Sequence, residues 1–119
     1  MLLNIEKQQA ANGVVVLKIS GRISLGRDSQ QVEWKMDELL KENARKVVLD
    51  LTKVSHIDST GIGIIVSCSG KLRGAGGDLR LSGAAGLVEQ VLKLTQVNNI
   101  VKLFPTAAAA AESFKAGSA

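Results

Sequence analysis

Residues 47–63 read VVLDLTKVSHIDSTGIG, which is an apolar run, a polar turn and the start of a second apolar pattern. The run 47–51 is rich in β-branched residues and predicts a short buried strand. Across residues 61–73 the apolar positions recur at spacings of three and four, which predicts one face of a helix. These positions are Ile62, Ile65, Cys68 and Leu72. Residues 58–63 are therefore expected to form a turn that leads into a helix N-terminus.

Three adjacent residues of this turn, Asp58, Ser59 and Thr60, carry side-chain oxygens that can accept hydrogen bonds from the first-turn N–H groups of a helix. The same N–H groups, together with the helix dipole, favour an anion at this place. A hydroxyl here can cap the helix, receive a phosphoryl group, or lie beside a bound phosphate. Considered alone, these residues favour helix capping and leave the two other roles open.

Segment 47–63 closely resembles the signature of bacterial anti-sigma factor antagonists, the small stand-alone members of the STAS domain family. In that family the serine directly after the aspartate is phosphorylated by a partner kinase, and that serine corresponds to Ser59. Thr60 is the alternative acceptor. The resemblance implies that the partner-binding residues are Ser24, Asp58, Ser59, Thr60, Gly61, Ile62 and Gly63.

The resemblance also implies a set of partners. One is an anti-sigma factor with serine kinase activity, which the unphosphorylated protein captures so that a sigma factor is released. Phosphorylation ends the capture, and a separate phosphatase resets the cycle. No cofactor is implied.

One segment departs from the family pattern. The loop expected after the second strand reads Gly21-Arg22-Ile23-Ser24, where the family often carries an aspartate at the position of Ser24. The missing carboxylate calls into question a charged contact between this loop and the kinase. The hydroxyl of Ser24 can still form a hydrogen bond. Ser24 is equally well interpreted as a residue on the approach to the next helix, with no partner role.

The length of 119 residues predicts a single domain, residues 1–119, with a disordered tail from about residue 115. Aromatic residues make up only 3% of the chain, so Val, Ile, Leu and Ala must build the core. The lone cysteine, Cys68, cannot form an internal disulfide, and no segment resembles a signal peptide or a membrane span. A cytoplasmic protein is expected, as a monomer or a weak dimer through an edge strand.

The composition argues against several functional classes. A net charge of +4 comes from scattered basic residues, and the chain has no tyrosine, which disfavours a nucleic-acid platform or a membrane-surface helix. His56 suggests a catalytic triad with Ser59 and Asp58, but residues crowded on one turn cannot align a base with its orienting acid. One histidine, one cysteine and no carboxylate cluster argue against a zinc site. The glycine-rich segment 74–77 has the wrong order for a nucleotide-binding loop, since it follows a helix and precedes a strand. We therefore expect no enzyme.

The patterns along the whole chain predict the order β-β-α-β-α-β-α-β-α. Strands are expected at residues 3–9, 14–20, 47–51, 78–82 and 100–104, with an Asn12-Gly13 hairpin turn and a loop at 21–26. The expected helix caps are Asp28 or Ser29, the 58–60 turn, Ser82 or Gly83, and Thr106. This alternation predicts an α/β single-domain fold of the STAS type. It has a mixed, mostly parallel sheet of about five strands, an N-terminal hairpin and about four packed helices.

Two helices carry apolar residues whose environment the pattern only suggests. Trp34 lies off the apolar stripe of the first helix, so it either marks a partner surface or packs over a sheet edge. The third helix is broadly apolar and is expected to be well buried. Its apolar residues are Leu87, Val88, Val91, Leu92 and Leu94.

Two other functions compatible with the STAS resemblance remain open. One is a scaffold or sensor module that binds a small ligand, such as a nucleotide or a lipid, at the helix start in residues 58–63. The other is a soluble subunit of a membrane transport system. The Asp-Ser-Thr-Gly run favours the anti-sigma factor antagonist.

Overall fold

The strands form one sheet in the order in which they occur along the chain. The computed structural model describes residues 3–24 and 27–117. These residues form a five-stranded sheet in the order β1-β2-β3-β4-β5, with β1 antiparallel to β2 and the other neighbours parallel. The elements are β1 (Asn4–Gln9), β2 (Val14–Ile23), α1 (Arg27–Lys41), β3 (Lys46–Ile57), α2 (Ser59–Gly74), β4 (Asp78–Ser82), α3 (Gly86–Leu94), β5 (Lys102–Phe104) and α4 (Ala107–Gly117). The predicted element order and mixed sheet are confirmed.

The turn between β1 and β2 has the backbone conformation that its sequence predicts. Asn12 and Gly13 both have positive φ, at 62° and 75°, and the N–H of Val14 donates to the carbonyl of Ala11. Asparagine and glycine tolerate this left-handed region better than other residues do. The hairpin therefore sets β1 as one edge of the sheet.

Helices cover both faces of the sheet because the strand residues alternate between the two faces. Leu17, Leu49 and Leu81 point into the larger core, where they meet the apolar faces of α1, α2 and α3. Val16 and Val48 point to the other face and pack against α4. Each fully buried aliphatic side chain contributes about 1.5–3 kcal/mol of transfer free energy, so these two clusters dominate the stability of the fold.

The carboxyl ends of β2 and β3 extend further than predicted. β3 runs to Ile57 rather than ending at residue 51, and residues 21–23 continue β2 instead of forming a loop. The parallel pairing of β2 with β3 continues across two register shifts. These shifts let the buried side chains of Val54 and Ile57 face the core. Since β4 ends opposite Asp50, the last part of β3 projects beyond β4 and carries the following turn to the edge of the sheet.

The first helix begins earlier than predicted. α1 starts at Arg27, so the proposed caps Asp28 and Ser29 are wrong, and both residues lie in its first turn. The hydroxyl of Ser29 instead accepts a hydrogen bond of 2.9 Å from the backbone N–H of Ser24. The helix ends at Lys41, and Asn43 adopts a left-handed conformation with φ 66° just after it.

The third helix differs from prediction in its start and in its burial. It begins at Gly86, after Ala85, so neither Ser82 nor Gly83 caps it. Val88 and Leu92 are buried, but Leu87 is 61% exposed and Leu94 is 82% exposed. The expectation of general burial is wrong because this short helix meets the rest of the protein with one face only.

The last helix agrees with prediction at its start. The N–H of Ala109 donates to the Thr106 hydroxyl at 3.0 Å, which confirms Thr106 as a cap. α4 is held by Phe114, whose ring centroid lies 4.0 Å from the Arg80 guanidinium. The helix extends to Gly117, and residues 118–119 lie outside the described residues, so the predicted disorder of the tail stays a prediction.

Candidate functional site

The turn after β3 leaves the hydroxyl of Ser59 at the surface. Asp58 is the N-cap of α2, and its Oδ1 accepts a hydrogen bond of 3.0 Å from the N–H of Gly61. Ser59 is the first residue of α2 and is exposed, whereas Thr60 is half-buried. Of the three possible caps, Asp58 therefore takes the role. In the described part of the chain, the Ser59 hydroxyl has no hydrogen-bond partner.

Gly61 fixes this turn against the end of β2. A Cβ at Gly61 would lie 2.1 Å from the carbonyl oxygen of Ile23 and 2.7 Å from Cγ1 of Ile57. The N–H of Asp58 also donates to the carbonyl of Ile23, at 3.4 Å. Gly61 is buried, so its part in the site is to let the helix start and the end of β2 approach each other.

The predicted site residues gather at one edge of the sheet. Ile23 pairs with Ile57 in the parallel ladder, so the residues that follow, Ser24 and Asp58, emerge side by side. Ser24 is half-buried, and Gly63 is exposed in the first turn of α2. Ile62 is half-buried and packs against the core. The surface at this edge therefore consists of Ser24, Ser59 and Gly63, supported from below by Gly61 and Ile62.

His56 does not assemble a catalytic triad with Ser59. Its Nδ1 lies 2.9 Å from the hydroxyl of Ser55, which in turn donates to the carbonyl of Gly21 at 3.3 Å. No hydrogen bond joins His56 to Ser59 among residues 3–24 and 27–117. In the same residues, no three side chains of the metal-binding types come together in a cluster.

Polar contacts not anticipated from the sequence join α1 to α2. Lys71 forms ion pairs with Asp37 at 2.9 Å and with Glu33 at 3.3 Å, and Glu33 also accepts a hydrogen bond from the Ser67 hydroxyl. The hydrogen bond to Asp37 raises the pKa of Lys71, and that to Glu33 acts in the same direction. These contacts hold the two helices in register beside the buried thiol of Cys68.

Cys68 gives the alkaline stability of the protein a specific pH dependence. Burial raises the pKa of the thiol from 9.0 to about 12, and the carboxylate of Glu33 adds to the shift. The unfolded chain ionises its thiol near pH 9.0. The stability that comes from burying the protonated thiol is therefore fully present below that pH. It declines as pH rises toward 12, by roughly 1.4 kcal/mol per pH unit.

Urea unfolding between pH 8 and 10.5 should therefore show a steeper loss of stability in the wild type than in Cys68→Ala. The variant is less stable throughout because of the cavity it creates. Parallel pH dependences of the two proteins would show that the native thiol is not held protonated.

Comparisons with known proteins identify the family. The STAS domain profile matches residues 4–110. The chain belongs to the STAS domain family. A provisionally named anti-sigma factor antagonist of Thermotoga maritima is 31% identical over 102 residues, which covers 86% of this chain and 90% of that protein.

Solved STAS structures support the same assignment. A crystal structure of a Thermotoga maritima protein, also provisionally named an anti-sigma factor antagonist, matches with a TM-score of 0.83 and 29% identity over 92% of each chain. The anti-sigma factor antagonist SpoIIAA in its unphosphorylated form matches with a TM-score of 0.71 over 96% of this chain and 99% of its own. Its identity is 15%, so it shows the fold alone.

The family assignment bears on the prediction about enzymatic activity, and the structure bears on the prediction about membrane spans. STAS proteins related to anti-sigma factor antagonists are non-enzymatic regulators, which confirms the prediction that this STAS domain is not an enzyme. None of the helices formed by residues 3–24 and 27–117 has the length and apolar character needed to cross a bilayer.

Proposed function

We propose that this STAS domain is an anti-sigma factor antagonist whose capture of an anti-sigma factor ends when Ser59 is phosphorylated. The observation that carries this proposal is the exposed Ser59 at the first position of α2, with the capping role taken by Asp58. Ser59 is thus accessible to a kinase and dispensable for the helix. The relatives named as anti-sigma factor antagonists supply the class of partner.

The accessibility of the two hydroxyls favours Ser59 over Thr60 as the phosphate acceptor. Ser59 is exposed and Thr60 is half-buried, so a kinase can reach Ser59 without moving the helix. A phosphoserine adds about −1.5 to −2 charges at pH 7. The N-terminus of α2 stabilises that charge, while the carboxylate of Asp58 repels it. These opposing effects leave the fold intact and change the surface that a partner meets.

The proposed switch works by excluding the partner, without a large conformational change. A partner seated on the Ser59 turn would have to desolvate a new dianion, and like charges on its own surface would add repulsion. SpoIIAA, solved in a phosphorylated form, still matches this chain with a TM-score of 0.71, which supports a fold that tolerates the modification.

The kinase activity is assigned to the partner. The sequence has no Gly-rich loop with the paired lysine and metal-binding residues that phosphoryl transfer from ATP requires. In the proposed cycle an anti-sigma factor with serine kinase activity is captured, a sigma factor is released, and a separate phosphatase removes the phosphate. The cycle places the protein in the cytoplasm.

Phosphate transfer from labelled ATP tests this proposal directly. Each anti-sigma factor kinase of the source organism is incubated with the wild type, with Ser59→Ala and with Thr60→Ala. We expect one kinase to label the wild type and Thr60→Ala, and not Ser59→Ala. Label that persists in Ser59→Ala overturns the assignment of the site. If no kinase labels the wild type, the phosphorylation switch is refuted and a ligand-binding scaffold becomes the better explanation.

A further inference from the structure

Some cationic side chains of this protein have no partner of their own. In the part of the chain whose side chains the structure describes, most lysines and arginines pair with carboxylates or donate to backbone carbonyls. The cations that do neither are Lys18, Arg22, Lys41, Lys53 and Lys102. An exposed cation that makes no pair within its own chain is available to a carboxylate of another molecule.

The unpaired cations of β2 and β3 share one face of the sheet. Side chains alternate along a strand, and Val16 points toward α4 whereas Ile23 points into the larger core. Lys18 and Arg22 therefore both point to the side of α4. The β2–β3 ladder brings Lys53 to the same side. All three cations are exposed, so α4 leaves this part of the face uncovered.

The charge of Lys18 is offset by carboxylates close to it. In the sheet Lys18 stands between Glu6 of β1 and Asp50 of β3, and all three line one surface hollow. Asp50 is also engaged locally, because its Oδ1 accepts hydrogen bonds from the N–H and the hydroxyl of Thr52. The positive charge that no carboxylate balances therefore lies further along β2 and β3.

The last rows of the β2–β3 ladder carry cations and no carboxylate. Ser20 stands between Asn4 of β1 and Lys53 of β3, and Arg22 pairs with His56. Residues 20–23 and 53–57 include no aspartate or glutamate. We use the term basic corner for the surface formed by Arg22, Lys53 and His56. Its members are neighbours in the ladder, so they form one continuous surface.

The basic corner borders the Ser59 turn. His56 precedes Ser59 by three residues, and three residues of chain span at most about 11 Å. That separation is comparable with the Debye length of about 8 Å at physiological ionic strength, so a charge on Ser59 and charges bound at the corner influence each other. The intervening carboxylate of Asp58 is engaged by the N–H of Gly61, and Ser24 adds no charge to this edge.

We propose that the basic corner receives an acidic segment of the anti-sigma factor when that partner docks on the Ser59 turn. Unpaired cations on an open surface are complementary to carboxylates of a protein partner. A nucleic acid is the less favoured occupant, because aromatic residues, on which its bases would stack, make up only 3% of the chain. The corner is also continuous with the turn on which the anti-sigma factor is proposed to dock.

This inference rests on the proposed function and adds a reason for the phosphate to be effective. Acidic side chains of the partner seated at Arg22 and Lys53 would lie close to Ser59. A phosphoserine there would carry about −1.5 to −2 charges and would repel them. The same cations would also be attracted to the new phosphate, which weakens their hold on the partner.

Neutral substitutions at the basic corner test the proposal. Binding of the purified anti-sigma factor kinases of the source organism is measured by surface plasmon resonance for the wild type, Arg22→Gln, Lys53→Gln and the double variant. At about 0.1 M salt we expect the double variant to bind roughly tenfold more weakly, mainly through slower association. At about 1 M salt, where the Debye length falls to about 3 Å, its affinity should lie within about twofold of the wild type.

Lys41→Gln is the matched control for the charge change. Lys41 belongs to the same group of unpaired, exposed cations, and it ends α1 on the side of the sheet where β3 begins, at the opposite end of β3 from the basic corner. Its affinity should stay within about twofold of the wild type at both salt concentrations. Because the substituted side chains are exposed, the thermal unfolding of all variants should remain close to that of the wild type.

The outcomes separate this inference from the function on which it rests. Wild-type affinity and salt dependence in the double variant, with binding still lost in Ser59→Asp, would overturn the basic corner and leave the proposed function standing. If no anti-sigma factor binds the wild type, both fail. Equal weakening by Lys41→Gln would show that net charge alone acts and would overturn the assignment. A single-stranded oligonucleotide that binds the wild type and not the double variant, with partner affinity unchanged, would assign the corner to nucleic acid and overturn the inference.

Discussion

Gly61→Ala is expected to lower the free energy of unfolding by roughly 1–3 kcal/mol, the usual cost of forcing extra volume into a packed site. The new Cβ would lie 2.1 Å from the carbonyl oxygen of Ile23, which is main chain and cannot rotate away as a side chain can. That oxygen accepts a hydrogen bond from the N–H of Asp58 and lies at the end of the β2–β3 ladder. Relief of the clash therefore requires the start of α2 to move away from β2. Urea unfolding at neutral pH measures the loss.

Gly63→Ala is the matched control for Gly61→Ala, because it makes the same chemical change two residues along the same helix. A Cβ at Gly63 meets nothing within 4 Å, and alanine favours the helix over glycine by about 0.8–1.0 kcal/mol. This variant should therefore be as stable as the wild type or more stable. Two variants that change stability in the same direction would contradict the close packing inferred at Gly61.

The local chemistry of residues 58–63 made this part of the fold predictable. A β-branched run, three consecutive capping residues and a helical apolar period all point to a strand, a turn and a helix N-terminus. The choice among the three caps was not predictable, since Asp58, Ser59 and Thr60 all have suitable side chains. The structure selects Asp58 because β3 delivers it in an extended conformation, with φ −120°, immediately before the first helical residue.

The full length of β2 and β3 could not be predicted from local patterns. The segment 52–56 contains several polar residues, and Gly21 suggests a turn, so neither segment resembles a strand by itself. Their extended state comes from pairing with each other, in which tertiary context overrides propensity. This long-range pairing is what brings Ser24 beside Asp58, so the site depends on contacts that the sequence does not display locally.

The exposure of α3 has a similar cause. An apolar period shows which residues could be buried together, and it does not show whether a neighbouring element is present to cover them. The side chains of Val88 and Leu92 are buried in the core, while those of Leu87 and Leu94 are exposed to solvent. The apolar content of α3 therefore predicts which residues are apolar together, but not that Leu87 and Leu94 stay exposed.

Ser59→Asp is expected to weaken binding of the anti-sigma factor by about 100-fold, equivalent to about 2.8 kcal/mol. Aspartate places a permanent negative charge at the first position of α2, where a docked partner would have to desolvate it beside Asp58. The fold should not suffer, because an acidic residue in the first turn stabilises a helix by about 0.3–1 kcal/mol. Calorimetric titration and a thermal melt of the same sample measure the two effects separately.

Two variants isolate the position of the charge as the cause. Ser59→Ala removes the hydroxyl without adding charge and should bind within about threefold of the wild type, because most contacts in an interface contribute little individually. Gln8→Glu adds one negative charge at an exposed position of β1, and it should also leave affinity close to that of the wild type. Equal binding by Ser59→Asp and Ser59→Ala would refute the switch. Equal weakening by Ser59→Asp and Gln8→Glu would show that net charge, and not the α2 N-terminus, governs the complex. A selective loss in Ser59→Asp, with unchanged or raised thermal stability, is the outcome that a partner seated directly on this turn requires.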